Sequence, residues 1–291
     1  MSDTLTIAAV KFLNARPLIY GLEREPDVRL RLGLPGEMAS LLKSGEVDAA
    51  LIPSIEYARL AADVGERARF RRAEGDGRTV GPRQFVILPV GAVGSRGRVG
   101  SVRLFGYVEE ARLKRVLLDP FSRTSNALAQ ILVVRRMGVR PHFVVPEELG
   151  AAGVKAAFSG RRPDAELVVG DRGLAAERPE AEWELDLGLE WHRFTHLPLV
   201  YAFWVARADG PVERLTTLLH SARERGLRAI EALADAAPEA HGVPADRARR
   251  YLEDEIRYDF GSKERTGLEA FFRMAAEEGL APDGVHLRMA S

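Results

Sequence analysis

The stretch GEMASLLKSGEVDAALIPSIEYARL, residues 36–60, decides the fold class. Glu37 to Ser44 carries helical spacing and stops at Gly45, a residue suited to the left-handed backbone of a helix end. DAALI then predicts a buried strand over Ala49–Ile52, and a Pro53-Ser54 turn leads into another helix. Strand and helix alternating through short connections indicate α/β architecture. Upstream, LTIAAV reads as a core strand over Leu5–Val10. A short helix from Pro17 to about Glu23 opens with proline in its first turn. VRLRLGLP alternates polar and apolar residues, as a strand from Val28 to Leu34 does.

Downstream, FVILPV (85–90), VGSVRLFG (99–106) and KRVLLDP (114–120, ending at Asp119) predict further strands, with a helix over 122–139. HFVVP and AELVVGD (165–171) supply two more strands. From about Pro211 the helical spacing of Ala, Arg and Glu predicts helices over 211–236, 244–256 and 264–279. An Arg/Glu/Gly-rich stretch, 65–83, predicts a longer loop. The expected plan is two α/β lobes: residues 1–88 with 200–291, and residues 89–199. Ligands of such folds sit outside the carboxyl ends of strands and between lobes.

Composition narrows the function. The chain has 291 residues, 46% hydrophobic and 29% charged, which is ordinary for a globular protein. Its 42 basic and 42 acidic residues leave no net charge. A nucleic-acid binder or a binder of anionic membranes carries a basic excess, so neither partner is expected. The absence of cysteine removes disulfides, thiolate nucleophiles and Cys-ligated metals. MSDTLTIAAVKFLNARP starts acidic and reaches Lys11 after a short apolar run, so neither a secretory leader nor membrane insertion is expected. The expected location is the cytoplasm. His192 and His196 have the i,i+4 spacing of a metal pair, without an HExxH pattern or a third ligand, and ordinary packing is the expectation. There is no GxGxxG after the first strand, no Walker motif and no GxSxG.

Four polar clusters fall where strands give way to helices or loops. The first is Lys11, Asn14 and Arg16; the second is Pro53-Ser54 with Glu56 and Tyr57. The third is Asp119 with Ser122, Arg123, Thr124 and Ser125; the fourth is Gly170-Asp171-Arg172. DPFSRTS is the most informative, because a helix start offers unpartnered N–H groups and a dipole that favours anions. One serine would cap such a helix; three hydroxyls and an arginine also suit a small carboxylate or phosphate. Asn14 and Ser54 also read as helix caps and Asp171 as a turn residue. Arg96 and Arg98 read as solvated loop charges. Ser95 and Ser101 flank glycines that permit close backbone approach.

VKFLNARPLIYGL, SGEVDAALIPSIEY, GSRGRVGSVRLF, LLDPFSRTSNAL, VVGDRGL and LDLGLEWHRFTHLPLVYAFWVAR together resemble the chorismate dehydratase (MqnA) family of the futalosine route to menaquinone. YLEDEIRYDFGSKERTGLEAFFRMAAEEGL resembles that family's closing helices, so the likeness covers nearly the whole chain. It implies a two-lobed fold like the type II periplasmic binding proteins, with the ligand cleft between the lobes. It also implies a lyase that removes water from chorismate, without a cofactor, to give 3-[(1-carboxyvinyl)oxy]benzoate.

On that resemblance, Asn14 with Ser95 or Ser101 would contact the reacting region. Ser122, Thr124 and Ser125 would bind a carboxylate, and Arg123 would assist or brace the loop. Arg16, Ser54 and Asp171 complete the expected substrate contacts. The base is either a protein carboxylate, Asp171 or Glu56, or the substrate's own enolpyruvyl carboxylate. Rival readings are the sibling enzyme that forms 1,4-dihydroxy-6-naphthoate and a non-catalytic carboxylate-binding protein, which would be exported. A transcriptional effector lobe is a third, and the early first strand leaves it no DNA-binding module.

Overall fold

A computed structural model describes residues 4–62 and 84–290. The loop expected over 65–83 lies outside the described residues. Two mixed five-stranded sheets carry the architecture. The first begins with β1 (Leu5–Val10), a run buried almost throughout because it lies inside the sheet. It ends in a 3₁₀ turn, Leu13–Ala15, and α1 (Arg16–Ile19). Gly21, at φ +80°, separates α1 from a second turn at Leu22–Arg24, so the helix expected over 17–23 is two pieces.

β2 (Val28–Gly33) takes the edge beside β1, in keeping with its alternating exposure. α2 (Pro35–Ser44) starts at proline and ends at Gly45, whose φ is +84°. β3 (Ala49–Pro53) is buried throughout, and α3 (54–62) leaves its end directly. β4 spans Phe85–Ser95. Residues 89–95 therefore pair within the first sheet, beyond the expected division at 88/89. Pro89 sits where the β4 pairing shifts register, so its missing N–H costs no ladder bond.

Residues 96–101 cross to the second sheet and β5 (Val102–Gly106). The strand starts later than the expected Val99 because the N–H groups of Val99 and Gly100 bond the Asp186 carboxylate, at 3.0 and 2.6 Å. β6 (Arg115–Leu117) leads to α4 (Arg123–Arg135). The helix stops short of the expected 139, where Gly138 turns left-handed at φ +74°. β7 (His142–Val144), α5 (Pro146–Ala157), β8 (Ala165–Val169), α6 (Asp171–Ala175) and β9 (Trp183–Asp186) follow. The strand order is β7-β6-β8-β5-β9, with β5 antiparallel to both neighbours.

α7 (Leu187–Thr195) ends at His196, which adopts φ +59° as its C-cap. The chain then returns to the first sheet as β10 (Leu199–Arg207), antiparallel between β3 and β4. α8 (Val212–Arg228) and α9 (Ile230–His241) replace the single helix expected over 211–236. α8 packs on α1 so closely that a Cβ at Gly226 would lie 1.9 Å from the Pro17 carbonyl oxygen. α10 (Ala245–Arg250) widens into a π-helical turn, Tyr251–Glu255, and α11 (Ser262–Glu277) closes against β10 and α4. One continuous apolar core runs through both sheets.

Candidate active site

The ends of β1, β3 and β8 and the start of α4 converge on one pocket between the sheets, with about 560 Å³ of empty space that includes its opening to solvent. Such crevices outside strand ends are where open α/β sheets take ligands. From the first sheet come Asn14, Phe12, Pro53 and Tyr201; from the second come Ser101, Ser122, Thr124, Ser125 and Gly170. Every polar side chain in this wall is neutral. Gly170 holds φ +71° and carries its backbone past the Phe12 ring.

The start of α4 is prepared for an acceptor. Ser122 occupies the N-cap position, yet no side chain caps the helix. Its hydroxyl instead donates to Ser125 Oγ at 2.8 Å. Thr124 Oγ1 accepts from the Ile55 N–H at 3.3 Å, which ties the α4 start to the first sheet. The first turn of α4, without a side-chain cap, and its helix dipole adjoin an uncharged cavity, an arrangement that favours an anion. Arg123 points back instead, reaching Glu56 at 3.2 Å, and Glu56 also holds Arg59 at 2.7 Å.

Opposite α4, two tyrosines meet two of the predicted serines. Tyr251 donates to Ser101 Oγ at 2.9 Å. Ser95 Oγ lies 3.1 Å from Tyr201 Oη, so Ser95 sits behind the wall and Tyr201 forms it. Burial raises both phenols well above their ordinary value, so both are neutral hydroxyls here. Gly188 is required beneath this corner: a Cβ there would sit 2.8 Å from Ser95 Oγ and 2.9 Å from Tyr201 Oη. Asp186 fixes the crossover to β5 while capping α7 through the Leu189 N–H at 2.9 Å.

Charged residues form a rim outside the wall. Asp171 accepts from the Leu13 N–H at 3.1 Å and bonds His241 Nδ1 at 2.7 Å. Arg16 reaches the other ring nitrogen at 3.3 Å, so His241 donates from Nδ1 and accepts at Nε2. Asp119, raised by burial but opposed by the Phe121 N–H and Arg172, meets Arg172 at 2.6 Å. Arg96 and Arg98 are exposed, as expected, and also pair with Glu264 at 2.6 Å and Glu255 at 3.3 Å. Their partners lie in the closing helices, far along the sequence.

The structure thus gathers Asn14, Ser101, Ser122, Thr124 and Ser125 around one cavity. Arg16, Arg123 and Asp171 engage protein partners at its edge. Ser54 is wholly buried and donates to the Val200 carbonyl at 2.7 Å. Sequence reasoning missed Tyr201, Tyr251, His241 and Asp186. Tyr251 reads as an ordinary core aromatic in RARRYLEDE, and nothing in the local pattern announces its partners. A larger open groove of about 910 Å³ includes Arg96, Arg223 and Glu264, but its arginines are already paired with Glu264 and Asp259.

Comparison with known proteins agrees with this geometry. The chain is 30% identical over 278 residues to the chorismate dehydratase of Thermus thermophilus, covering 90% of this chain and 91% of that one. A solved protein of Archaeoglobus fulgidus superposes with a TM-score of 0.66 at 17% identity, covering 96% of this chain and 99% of that one. The periplasmic aliphatic sulphonate binding protein SsuA of Escherichia coli superposes at 0.63 with 15% identity, covering 100% and 93%. The fold is thus the two-lobed one of periplasmic binding proteins. Residues 5–65 and 81–277 match the family described as menaquinone biosynthesis, and the chain belongs to that family.

Proposed function

We propose that this protein is a lyase that dehydrates chorismate to 3-[(1-carboxyvinyl)oxy]benzoate, as a step of the futalosine route to menaquinone in the cytoplasm. The observation that carries the reading is the wall: an uncharged cavity between two lobes, with an uncapped helix start on one side and Asn14 and Ser101 opposite. The 30% identity to a chorismate dehydratase supports the same reaction. The lobes we propose keep the expected plan with its divisions moved to residues 1–95 with 199–291 and residues 96–198, because β4 and β10 pair within the first sheet.

One substrate carboxylate sits at the α4 start, on the first-turn amides and the hydroxyls of Ser122, Thr124 and Ser125. Asn14 and Ser101 meet the C4 hydroxyl. Loss of the C3 proton and the C4–O bond makes the ring aromatic, and the proton and hydroxide leave together as water. Ser101 donates to the departing oxygen. The substrate's enolpyruvyl carboxylate takes the C3 proton, because both oxygens of Asp171 are engaged by Leu13 and His241 outside the wall. Glu56 is likewise engaged by Arg59 and Arg123. The protein supplies position and neutral donors, and orientation of this kind removes several kcal/mol from a barrier.

Purified protein incubated with chorismate is expected to yield a product lighter by one water, with a benzoate absorbance. Binding without that mass change would make the protein a carboxylate-binding module instead.

A further inference from the structure

We infer that Tyr251 is a positioning residue that sets the polarity of the hydrogen bond reaching the departing hydroxyl. The inference rests on the dehydration assigned above and names a residue outside the expected site. Tyr251 is buried, 1% exposed, and its hydroxyl meets Ser101, which lines the cavity, at 2.9 Å. A phenol has one proton, and here that proton goes to Ser101 Oγ.

Ser101 is thereby left with its own O–H to donate into the cavity, which matches a hydroxyl that leaves as a base. Without Tyr251 the Ser101 hydroxyl is free to turn its proton elsewhere. Tyr251 does not act as the acid itself. Burial, with the Asp171 and Glu255 charges on the same side, pushes its phenol well above its ordinary value.

The backbone around Tyr251 is built to hold it there. α10 ends as Tyr251 opens the π-helical turn, a distortion that recurs at functional sites, and Ile256 after the turn lines the cavity. Arg247 staples the turn to Glu255 at 2.7 Å. The crossover loop lies flat on that staple: a Cβ at Gly100 would fall 2.1 Å from both side chains, and Gly100 holds φ +70°. Ser101 follows directly, so its register against Tyr251 is fixed by contact.

The test is steady-state kinetics on chorismate for wild type, Tyr251→Phe, Ser101→Ala and the double variant, with a crystal structure of Tyr251→Phe. Tyr251→Phe is expected to lower kcat roughly 10- to 100-fold while KM stays within about threefold. The double variant is expected to be no slower than the slower single one, because both substitutions remove the same bond. A kcat within threefold of wild type, or a double variant in which the losses multiply, overturns the inference. If Tyr251→Phe yields no folded protein, Ser101→Ala decides alone: a near-normal kcat overturns it. A wild type that leaves chorismate intact defeats the reaction assigned above instead. In that case the crystal structure decides: an unchanged Ser101 rotamer overturns the inference, and a turned Ser101 supports it.

Discussion

The wall of the cavity and its rim are built from opposite chemistries. The wall offers hydroxyls, an amide, helix N–H groups and apolar surface, without a charged side chain. The rim is dense in paired charges: Arg16–His241–Asp171 by hydrogen bonds, Arg123–Glu56 and Arg172–Asp119 as ion pairs, and Arg96–Glu264 at the neighbouring groove. A dianion could have been gripped by arginines. Here the arginines hold protein instead, and the anion meets dipoles. Fixed dipoles anchor one carboxylate by lowering its basicity, which leaves the other, enolpyruvyl carboxylate to take the proton. The rim then does the mechanical work of holding strand ends from two sheets at one separation.

The sharpest way to break this contrast is to damage the wall alone. Asn14→Ala removes a neutral group that carries no fold-spanning ion pair. It is expected to lower kcat/KM at least 100-fold, about 2.7 kcal/mol of transition-state stabilisation, with little change in Tm. Unchanged kinetics would move the reacting centre away from the end of β1. Damage to the rim should look different. Asp171→Ala cuts the bonds to Leu13 and His241 at a side chain that is 17% exposed. The expected cost is about 2 kcal/mol, which lowers Tm by roughly 2–4 °C, with KM raised more than kcat is lowered. If Asp171→Ala abolished kcat and left Tm alone, Asp171 would belong to the wall as the base.

The same contrast explains what the sequence could disclose. Wall residues at strand ends were legible because an apolar run such as LTIAAV or AELVV must end where the core ends, and polar groups clustered there stand out. The hydroxyl-rich start of α4 was legible for the same reason. The rim was not, since an ion pair between Arg96 and Glu264 spans 168 residues and each partner alone resembles a solvated charge. Tyr251 escaped because its chemistry lies entirely in which residues it touches. β10 escaped as an element: LVYAFWVAR is a continuous apolar run whose meaning comes from β3 and β4 on either side. The division at 88/89 falls inside β4 because the strand expected over 85–90 continues to Ser95, past a register shift against β10 that no local pattern announces.

The gentlest probe of the contrast is acid. Burial raises the Glu264 carboxyl, but Arg96 and the Gly261 N–H more than offset it, and the net value lies below the ordinary carboxylate range. A group depressed in the folded state stabilises the fold above its unfolded value, about 4.3, and loses that contribution as pH falls through the lower folded value. Arg96→Ala removes the offset and leaves a carboxylate that is 3% exposed. Because Arg96 is itself 40% exposed, solvent screening limits the neutral-pH cost to about 1 kcal/mol. The folded value of Glu264 then rises toward the unfolded one, so thermal melts taken from about pH 3 to 7 should show a shallower loss of stability toward acid than in wild type. The wall contains no carboxylate or imidazole, so ligand affinity of the folded protein should stay flat between about pH 6 and 9. A titration step inside that window would bring a rim group into contact with the ligand and erase the distinction between the two regions.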